Sequence, residues 1–474
     1  MATAFVSVFS YTTSPVYAEW GNTPDSPIFQ IIGKYWAMGD VPYRDLWDMK
    51  GPYIFLINAF GYGLTGTHLG VYAVQIVFLT FTLLCIYEMF RTRFRPVWSL
   101  TMLFVSLLPL SYIYEGGNLT EEYLLPFLSL SFMFFLRWID RVEREHQFVH
   151  PPLYAVVYGM VLGLSLMSRL TNALSLCAGI SVMCIFLLYR KQYKNLCLNV
   201  CAFIIGLACS TLPFLFYFGH HHALEAMWNA TFLYALEYAS NATKNLTEIG
   251  IHYFFLSYFS SLLLLAVCVW QAIHHRQLTI RTCLWFMSAL LPFVWFCQGN
   301  GFGHYGMTVI PLFAIAMIEI SELRLRALSV CVIAIMLVAC GSKVRYSFII
   351  HDKENANVSA YADFLRTVPG INYSSFVAYN CDPNIYLALD IRPASPFFAL
   401  QDFSIERNPQ LCNDIANSFR SNQPEWILLA KLENESPIIQ QILDESYTIV
   451  AVQESESLTL FKKKCKSEAC PPRK

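Results

Sequence analysis

"NTPDSPIFQIIGKYWAMGDVPYRDLWDMKGPY", residues 22–53, is the stretch on which the reading of this chain turns. It holds Asp25, Asp40, Asp45 and Asp48 together with Arg44 and Lys50, near the start of a chain that is otherwise mostly apolar. Two amphipathic pieces, residues 27–38 and 52–62, flank a turn-forming polar middle, "GDVPYRDLWD". Each piece is too short to cross a bilayer, whose hydrocarbon core of about 30 Å needs about 20 helical residues. Trp36, Tyr43, Trp47 and Tyr53 are the amphipathic aromatics expected at headgroup level. The spacing predicts a loop, residues 22-67, whose interfacial helices hug a membrane surface and gather ionisable groups there.

The remainder of the chain requires that membrane. Its 474 residues are 56% hydrophobic and 14% charged, with a mean hydropathy of +0.44, too apolar for a soluble globule of this length. The net charge of -1 leaves no electrostatic footprint for nucleic acid. Apolar runs suited to spans occur at 71–90, 97–114, 123–138, 153–167, 173–189, 196–218, 253–271, 283–297, 305–320 and 327–344. A short apolar run at 2–11 lacks the basic leader of a signal peptide. It reads as part of a first span, cut short at the start or tucked against neighbours, which makes about eleven spans. Arg91, Arg93 and Arg95; Arg137, Arg141 and Arg144; Arg190, Lys191 and Lys194; Arg276 and Arg281; and Arg324 and Arg326 fall in every second loop. Short cytoplasmic loops collect Lys and Arg, so the amino terminus is expected inside and the tail outside. The opening loop, "YEGGNLTEEY" (114–123), the loop 219–252 and "QGNGFGHYG" (298–306) then share the outer face.

Composition changes after residue 346. Helix-like "AYADFLRTV" is followed by strand-like "SSFVAYN", "EWILLA", "YTIVAVQ" and "LTLFKKK", the pattern of a small α/β domain. The expected organisation is a membrane domain over 1-345 and an extracytoplasmic domain over 346-474. Most of the fifteen cysteines lie in or beside spans, where they act as small hydrophobes. Cys381, Cys412, Cys465 and Cys470 lie in the outer domain, where a Cys381–Cys412 bridge is compatible with an exported compartment. No CxxC or HExxH spacing points to zinc, and His220, His221 and His222 read as solvated. The sequons at Asn118 and Asn229 are too short a signal to carry a glycan assignment.

Residues 25–52, "DSPIFQIIGKYWAMGDVPYRDLWDMKGP", resemble the first external loop of bacterial GT-C glycosyltransferases related to the protein O-mannosyltransferases and the lipid A aminoarabinose transferase. That family carries an Asp after its first span, then a "G-x-x-P-Y-R-D-x-x-D-x-K-G-P"-like segment. The resemblance extends to "GGNLTEEY", "SRLTNA" and "GHYGMTVIP", and reaches the outer domain only in layout. It implies a GT-C fold and inverting transfer of a sugar from a polyprenyl-phosphate donor to a glycan, lipid or protein acceptor. The chemistry is expected on the outer, periplasmic face of a bacterial inner membrane. Asp25 matches the family's catalytic Asp, and Glu121 and Glu122 hold the place of a second acid.

Each candidate has a plainer reading beside it. Glu121 and Glu122 equally suit the first turn of a helix starting near Thr120, where acids favour the dipole. Lys50 opens a helix whose free N–H groups also attract a phosphate. Arg169 at the end of a span needs a partner or a cavity unless it snorkels to the interface, and His304 sits in a Gly-rich turn where it either donates to phosphate or only supports the fold. Tyr43, Arg44, Asp45 and Asp48 are supporting residues, with Asp45 and Asp48 either pairing Arg44 and Lys50 or touching a ligand. A divalent metal ion is left open, as are the sugar and the acceptor. The rival class is a flippase of a lipid-linked sugar; the repeated halves and broken midplane helices common in transporters are not visible.

Overall fold

The computed structural model describes residues 1–17, 25–241, 255–275, 278–297, 302–323, 325–430, 437–453 and 457–464. Arg276, Arg324, Cys465 and Cys470 lie outside the described residues. The chain begins with α1 (Ala2–Phe9), then α2 (Asp25–Ala37) and α3 (Pro52–Thr65) in the first loop, then α4 (His68–Arg91), α5 (Pro96–Ile113) and α6 (Thr120–Arg144). There follow α7 (Pro152–Leu166), α8 (Leu174–Tyr189), α9 (Tyr193–His220), the short α10 (Leu224–Trp228) and α11 (Ala235–Asn241), α12 (Phe259–His275), α13 (Ile280–Phe296), α14 (Ile310–Glu322) and α15 (Arg326–Thr367).

Among the described residues, seven helical runs are long and apolar enough to cross a membrane, against about eleven expected: His68–Arg91, Pro96–Ile113, Thr120–Arg144, Leu170–Tyr189, Tyr193–His220, Gly303–Glu322 and Ala327–Arg345. Pro152–Leu166, Phe259–His274 and Ile280–Phe296 are shorter apolar helices. α1 has eight residues and packs on α4, with the Ser7 and Tyr72 hydroxyls 2.6 Å apart. Pro in the first turn starts α3, α5, α7 and α14 at no hydrogen-bond cost, because those N–H groups have no helical acceptor. α7 and α9 approach so closely that a Cβ on Gly159 would stand 2.0 Å from the Phe203 carbonyl oxygen. Small residues allow such contact between membrane helices.

Chain alternation gives the bundle two ends. At one, Arg93, Asp140, Glu143, Arg281, Glu319 and Glu322 interlock. At the other stand the first loop, the start of α6, and the turns before α8 and α14. Glu121 and Asp140 mark the two ends on α6, 19 residues and so about 28 Å apart. That is close to the hydrocarbon thickness of a bilayer, about 30 Å.

α15 runs unbroken through residue 345, so a continuous helix joins the bundle to the sheet. The four strands arise where strand-like sequence was read: β1 (Phe376–Tyr379), β2 (Trp426–Ala430), β3 (Tyr447–Gln453) and β4 (Leu458–Lys463). Their order is β1-β2-β4-β3, with β1 parallel to β2 and the other pairs antiparallel. Val377, Tyr379, Ile427 and Leu429 pack on one side against Ile415, Phe419 and Ile442.

Two expectations are corrected. The four aromatics of the first loop are used inside the protein: Tyr43 and Tyr53 are buried, Trp36 donates to the Tyr217 hydroxyl (2.6 Å), and Trp47 packs on Phe397 and Tyr234. The causes differ: Trp36 and Tyr43 pack on α9 at Tyr217 and Phe218, Tyr53 lies against α6 at Tyr123, and Trp47 meets the outer domain at Phe397. The Cys381–Cys412 bridge does not form, because Cys381 is a buried thiol between the Tyr379 and Leu428 carbonyls at 3.4 and 3.6 Å.

Candidate active site

A glycine brings the first loop to the fifth span. The Gly51 N–H donates to the Ser168 carbonyl (3.1 Å) and the Tyr53 N–H to the Met167 carbonyl (2.8 Å). A Cβ on Gly51 would stand 2.3 Å from the Met167 carbonyl oxygen, so only glycine permits this approach. The contact brings Lys50 near Arg169, whose like charge acts on it. The Lys50 N–H closes a short turn onto Asp48 Oδ1 (2.8 Å), and the Tyr43 hydroxyl holds the Lys50 carbonyl (2.8 Å). Tyr43 itself adopts φ +70, a conformation uncommon for a bulky residue, with its N–H on the Leu46 carbonyl.

Arg169 is fixed on two further sides. Its guanidinium carbon lies 3.2 Å from the centroid of the Tyr305 ring, and Nη1 donates to Glu121 Oε1 at 3.2 Å. The other Glu121 oxygen accepts from the Thr120 hydroxyl (2.8 Å). A guanidinium stacked on a ring and bound to a buried carboxylate loses its rotamer freedom, which leaves its remaining N–H groups aimed. His304, in the turn Gly303–Val309, lies with Nδ1 2.5 Å from Glu115 Oε2.

Asp25 opens α2 and completes the cluster: its charge acts on Asp48, Lys50 and His304. Burial pushes the Asp48 carboxyl up to about 6, and the Asp25 charge adds to this while Lys50 opposes it. Burial works to lower Lys50, but Asp25 and Asp48 outweigh it and the neighbouring Arg169, and the ammonium is held above its ordinary value.

The structure thus gathers Asp25, Asp48, Lys50, Glu121, Arg169 and His304. It leaves two acids and one cation outside that group. Arg44 and Asp45 form a two-pronged pair on the exposed side (2.9 and 2.8 Å), which holds the Asp45 carboxyl below its usual range, and Asp45 also caps the Val41 N–H. Glu122 points into a separate buried network, accepting from Gln75 Nε2 (3.1 Å), the Tyr114 hydroxyl and the Asn118 N–H (2.7 Å). The sequence reading missed Tyr305 and Glu115 as partners, although both lie in quoted Gly-rich turns. The outer domain was expected to pack over the site, but which of its segments docks on the first loop was not read. There Lys34 meets Asp390, Arg392 Nε meets Asp40 (2.8 Å), and the Trp47 N–H donates to the Pro396 carbonyl (3.0 Å). Among the described residues, no three His, Cys, Asp or Glu side chains stand together as a metal site.

Comparison with solved structures identifies the architecture. The ArnT structure from Cupriavidus metallidurans in the apo state aligns over 99% of this chain and 97% of that one, with a TM-score of 0.57 at 14% identity. The same protein bound to undecaprenyl phosphate aligns over 99% and 98%, with a TM-score of 0.60 at 14% identity. This chain has the ArnT-like GT-C fold. The Archaeoglobus fulgidus oligosaccharyltransferase, in complex with Zn and sulfate, covers 90% of this chain and 67% of its own length with a TM-score of 0.40 at 13% identity. No protein-family model matches the sequence, and no curated protein matches it either. The likeness therefore is one of three-dimensional fold.

Proposed function

We propose that this chain is an integral membrane glycosyltransferase that takes a sugar from a polyprenyl-phosphate donor and hands it to an acceptor at the end of the bundle bearing Asp25. The observation that carries the reading is the side-by-side placement of Lys50 and Arg169 facing Asp25, in a GT-C fold. Glu121 and the charges of Asp25 and Asp48 offset the repulsion between these two cations, and a carrier phosphate is an anion that both can bind as well. The acceptor oxygen attacks the anomeric carbon as its bond to the phosphate oxygen breaks. Asp25 removes the acceptor's proton, and the polyprenyl phosphate leaves with its new charge on Lys50, Arg169 and His304. Attack opposite the leaving phosphate inverts the anomeric carbon.

In this reading Glu121 orients Arg169 rather than exchanging protons, and Tyr43 and Asp48 hold the Lys50 turn. Residues 1–345 form the membrane catalytic part. Residues 346–474 form a cover that shapes acceptor entry on the outer face. ArnT has been seen with undecaprenyl phosphate, which makes that lipid the natural first probe.

The test is the full chain in lipid nanodiscs, supplied with the lipid-linked sugar fraction of the producing cells' own membranes. Wild type is expected to release polyprenyl phosphate and glycosylate acceptor. Asp25→Asn keeps the shape but not the basic oxygen, and should slow transfer about a hundredfold or more while still binding undecaprenyl phosphate. Near-normal transfer by Asp25→Asn would remove the base assignment. With the chain in sealed liposomes, movement of intact lipid-linked sugar across the bilayer with no release would favour a flippase.

A further inference from the structure

The turn between α5 and α6 links residues that the reaction needs but that lie far apart in sequence. Glu115, Gly116, Gly117 and Asn118 have φ values of +44, +85, +71 and +56, four consecutive residues on the left-handed side. Residues other than glycine and asparagine rarely take such values unless the surroundings impose them. Here the surroundings do impose them. The Gly116 carbonyl accepts from the Tyr11 N–H (3.0 Å) and the Ser10 hydroxyl (3.3 Å), while a Cβ on Gly117 would meet the Tyr114 ring at 2.6 Å and Gln75 Nε2 at 2.9 Å. Glu122 closes the turn from behind by accepting the Asn118 N–H at 2.7 Å, with Gln75 and Tyr114 on the same carboxylate.

The two ends of this turn reach two different functional side chains. Glu115 at the first end lies against His304 Nδ1 (2.5 Å). Asn118 at the other end is fully buried and donates Nδ2 to the Ser26 hydroxyl (3.0 Å), the residue next to Asp25. Its amide is held in turn by a reciprocal pair with Asn58 (3.0 and 3.1 Å) and by the Tyr123 hydroxyl (2.8 Å). Ser26 is held from its other sides by Thr12 (2.5 Å) and Gln30 (3.2 Å). Every polar atom of the Asn118 side chain is satisfied within the protein, so this sequon asparagine is a structural joint and not a surface acceptor for glycan.

We propose that the Glu115–Asn118 turn is the positioning element of the site, with Asn118 setting Asp25 through Ser26 and Glu115 setting His304. Glu122 is the lock that holds the turn in its left-handed form. The inference rests on Asp25 as base and His304 as a phosphate ligand, and it assigns Glu122, a catalytic candidate by sequence, to positioning. A rigid joint of this kind matters because a misplacement of about 1 Å can slow an enzyme about a hundredfold.

Because the two ends serve different steps, their variants should fail differently. Asn118→Ala should lower kcat about tenfold or more in the nanodisc assay and leave the affinity for undecaprenyl phosphate within about twofold. Glu115→Ala should weaken undecaprenyl phosphate binding about tenfold, and Glu115→Gln, which still offers an oxygen to His304, should recover most of it. Gly117→Ala should impair both. The melting temperature of each variant in detergent is measured alongside, and loss of both functions in step with loss of folded protein in all four variants would reduce the turn to general structure. Wild-type kcat in Asn118→Ala together with wild-type affinity in Glu115→Ala would overturn the proposal while an inactive Asp25→Asn kept the enzyme reading intact. An active Asp25→Asn would instead remove the enzyme's base and the Asn118 half of the proposal, and leave the Glu115 half to be judged by binding alone.

Discussion

The two charged ends of the bundle use the same residue types to opposite effect. At the end away from the first loop, Arg281 is nearly buried and meets Asp140 (2.6 Å), Glu143 (2.7 Å) and Glu319 (3.0 Å), while Arg93 meets Asp140 (2.6 Å) and Glu322. Gln271 and Trp285 take up Glu319 as well, at 2.8 and 3.1 Å. Each arginine there is surrounded by carboxylates. At the other end Lys50 and Arg169 stand beside each other, only partly buried, and Asp25 and Asp48 sit within reach of both the protein and solvent. The first network gives each arginine several fixed carboxylate partners, whereas the second keeps two like charges adjacent, with Glu121 on Arg169 and the charges of Asp25 and Asp48 near Lys50. Sequence position alone does not separate the two, since both are Arg and Asp at the ends of apolar helices.

The sharpest way to break that comparison is at the closed end. Arg281→Ala leaves Asp140, Glu143 and Glu319 without their shared cation, and removing one partner of a buried pair costs about 3–5 kcal/mol. We expect much less folded protein on size-exclusion chromatography and a lower melting temperature. The fraction that folds should bind undecaprenyl phosphate as wild type does. An Arg281→Ala protein as stable as wild type would mean that the network is not a stabilising device.

The open end should respond in binding instead. Lys50→Ala and Arg169→Ala each remove a charge-assisted contact worth about 1.5–3 kcal/mol, roughly 10- to 150-fold in affinity for undecaprenyl phosphate. Lys50→Ala should also lower the melting temperature at neutral pH, because Asp25 and Asp48 lose the cation that lies beside them. Arg169→Ala should lower it somewhat, because buried Glu121 loses its partner. Arg169→Lys should not restore binding, since an ammonium cannot lie flat on the Tyr305 ring and reach Glu121 together. Unchanged affinity in both alanine variants would move the phosphate elsewhere.

Much of this was legible in the sequence, and the reason is physical. Apolar runs of span length, basic clusters in alternate loops and four strand-like segments each follow from local pattern, so the bundle and the sheet emerged from it. Asp25, Lys50, Arg169, Glu121 and His304 could be gathered because they lie in loops that alternation sends to one end. What pattern did not carry is orientation. Glu121 and Glu122 are neighbours, yet successive helical residues diverge by about 100°, so one carboxylate meets Arg169 and the other enters the Gln75 network. The docking of residues 390–397 on the first loop depends on tertiary closure between distant parts of the chain, and nothing local announces it.

Asp48 gives a finer probe of the open end through pH. Burial raises its carboxyl from the ordinary 3.8 to about 6. The folded protein therefore holds this proton more tightly than the unfolded chain, and folding loses stability from this group as pH rises from about 4 to about 6. Above that range both states are ionised and the full penalty applies. Asp48→Asn should accordingly melt higher than wild type at pH 7.5, and the gap should close towards pH 4.5. A gap that stays constant, or widens at low pH, would show that the carboxyl is not held in the protonated form by its surroundings.

The smallest effect is expected where an ion pair lies open to water, at the seam between the first loop and the outer domain. The Arg392 side chain is 45% exposed and that of Asp40 26%, at a separation of 2.8 Å. Exposed pairs contribute about 0.2–1 kcal/mol, because water screens the attraction and two flexible side chains must be ordered. The Trp47 ring contributes more to the same seam, with its centroid 5.2 Å from that of Phe397, a contact that salt does not weaken and that is lost in an alanine variant while the backbone N–H on the Pro396 carbonyl is kept. Arg392→Ala should therefore leave transfer within about twofold of wild type and shift melting by a degree or two. Raising the salt should erase the difference, since the Debye length shrinks to about 3 Å at 1 M. Trp47→Ala should lower acceptor use several-fold at any salt, because the outer domain then loses the contact that seats it on the loop carrying Asp48 and Lys50. A tenfold loss of transfer in Arg392→Ala, recovered by no salt concentration, would show that this charge belongs with the open end of the bundle rather than with its surface.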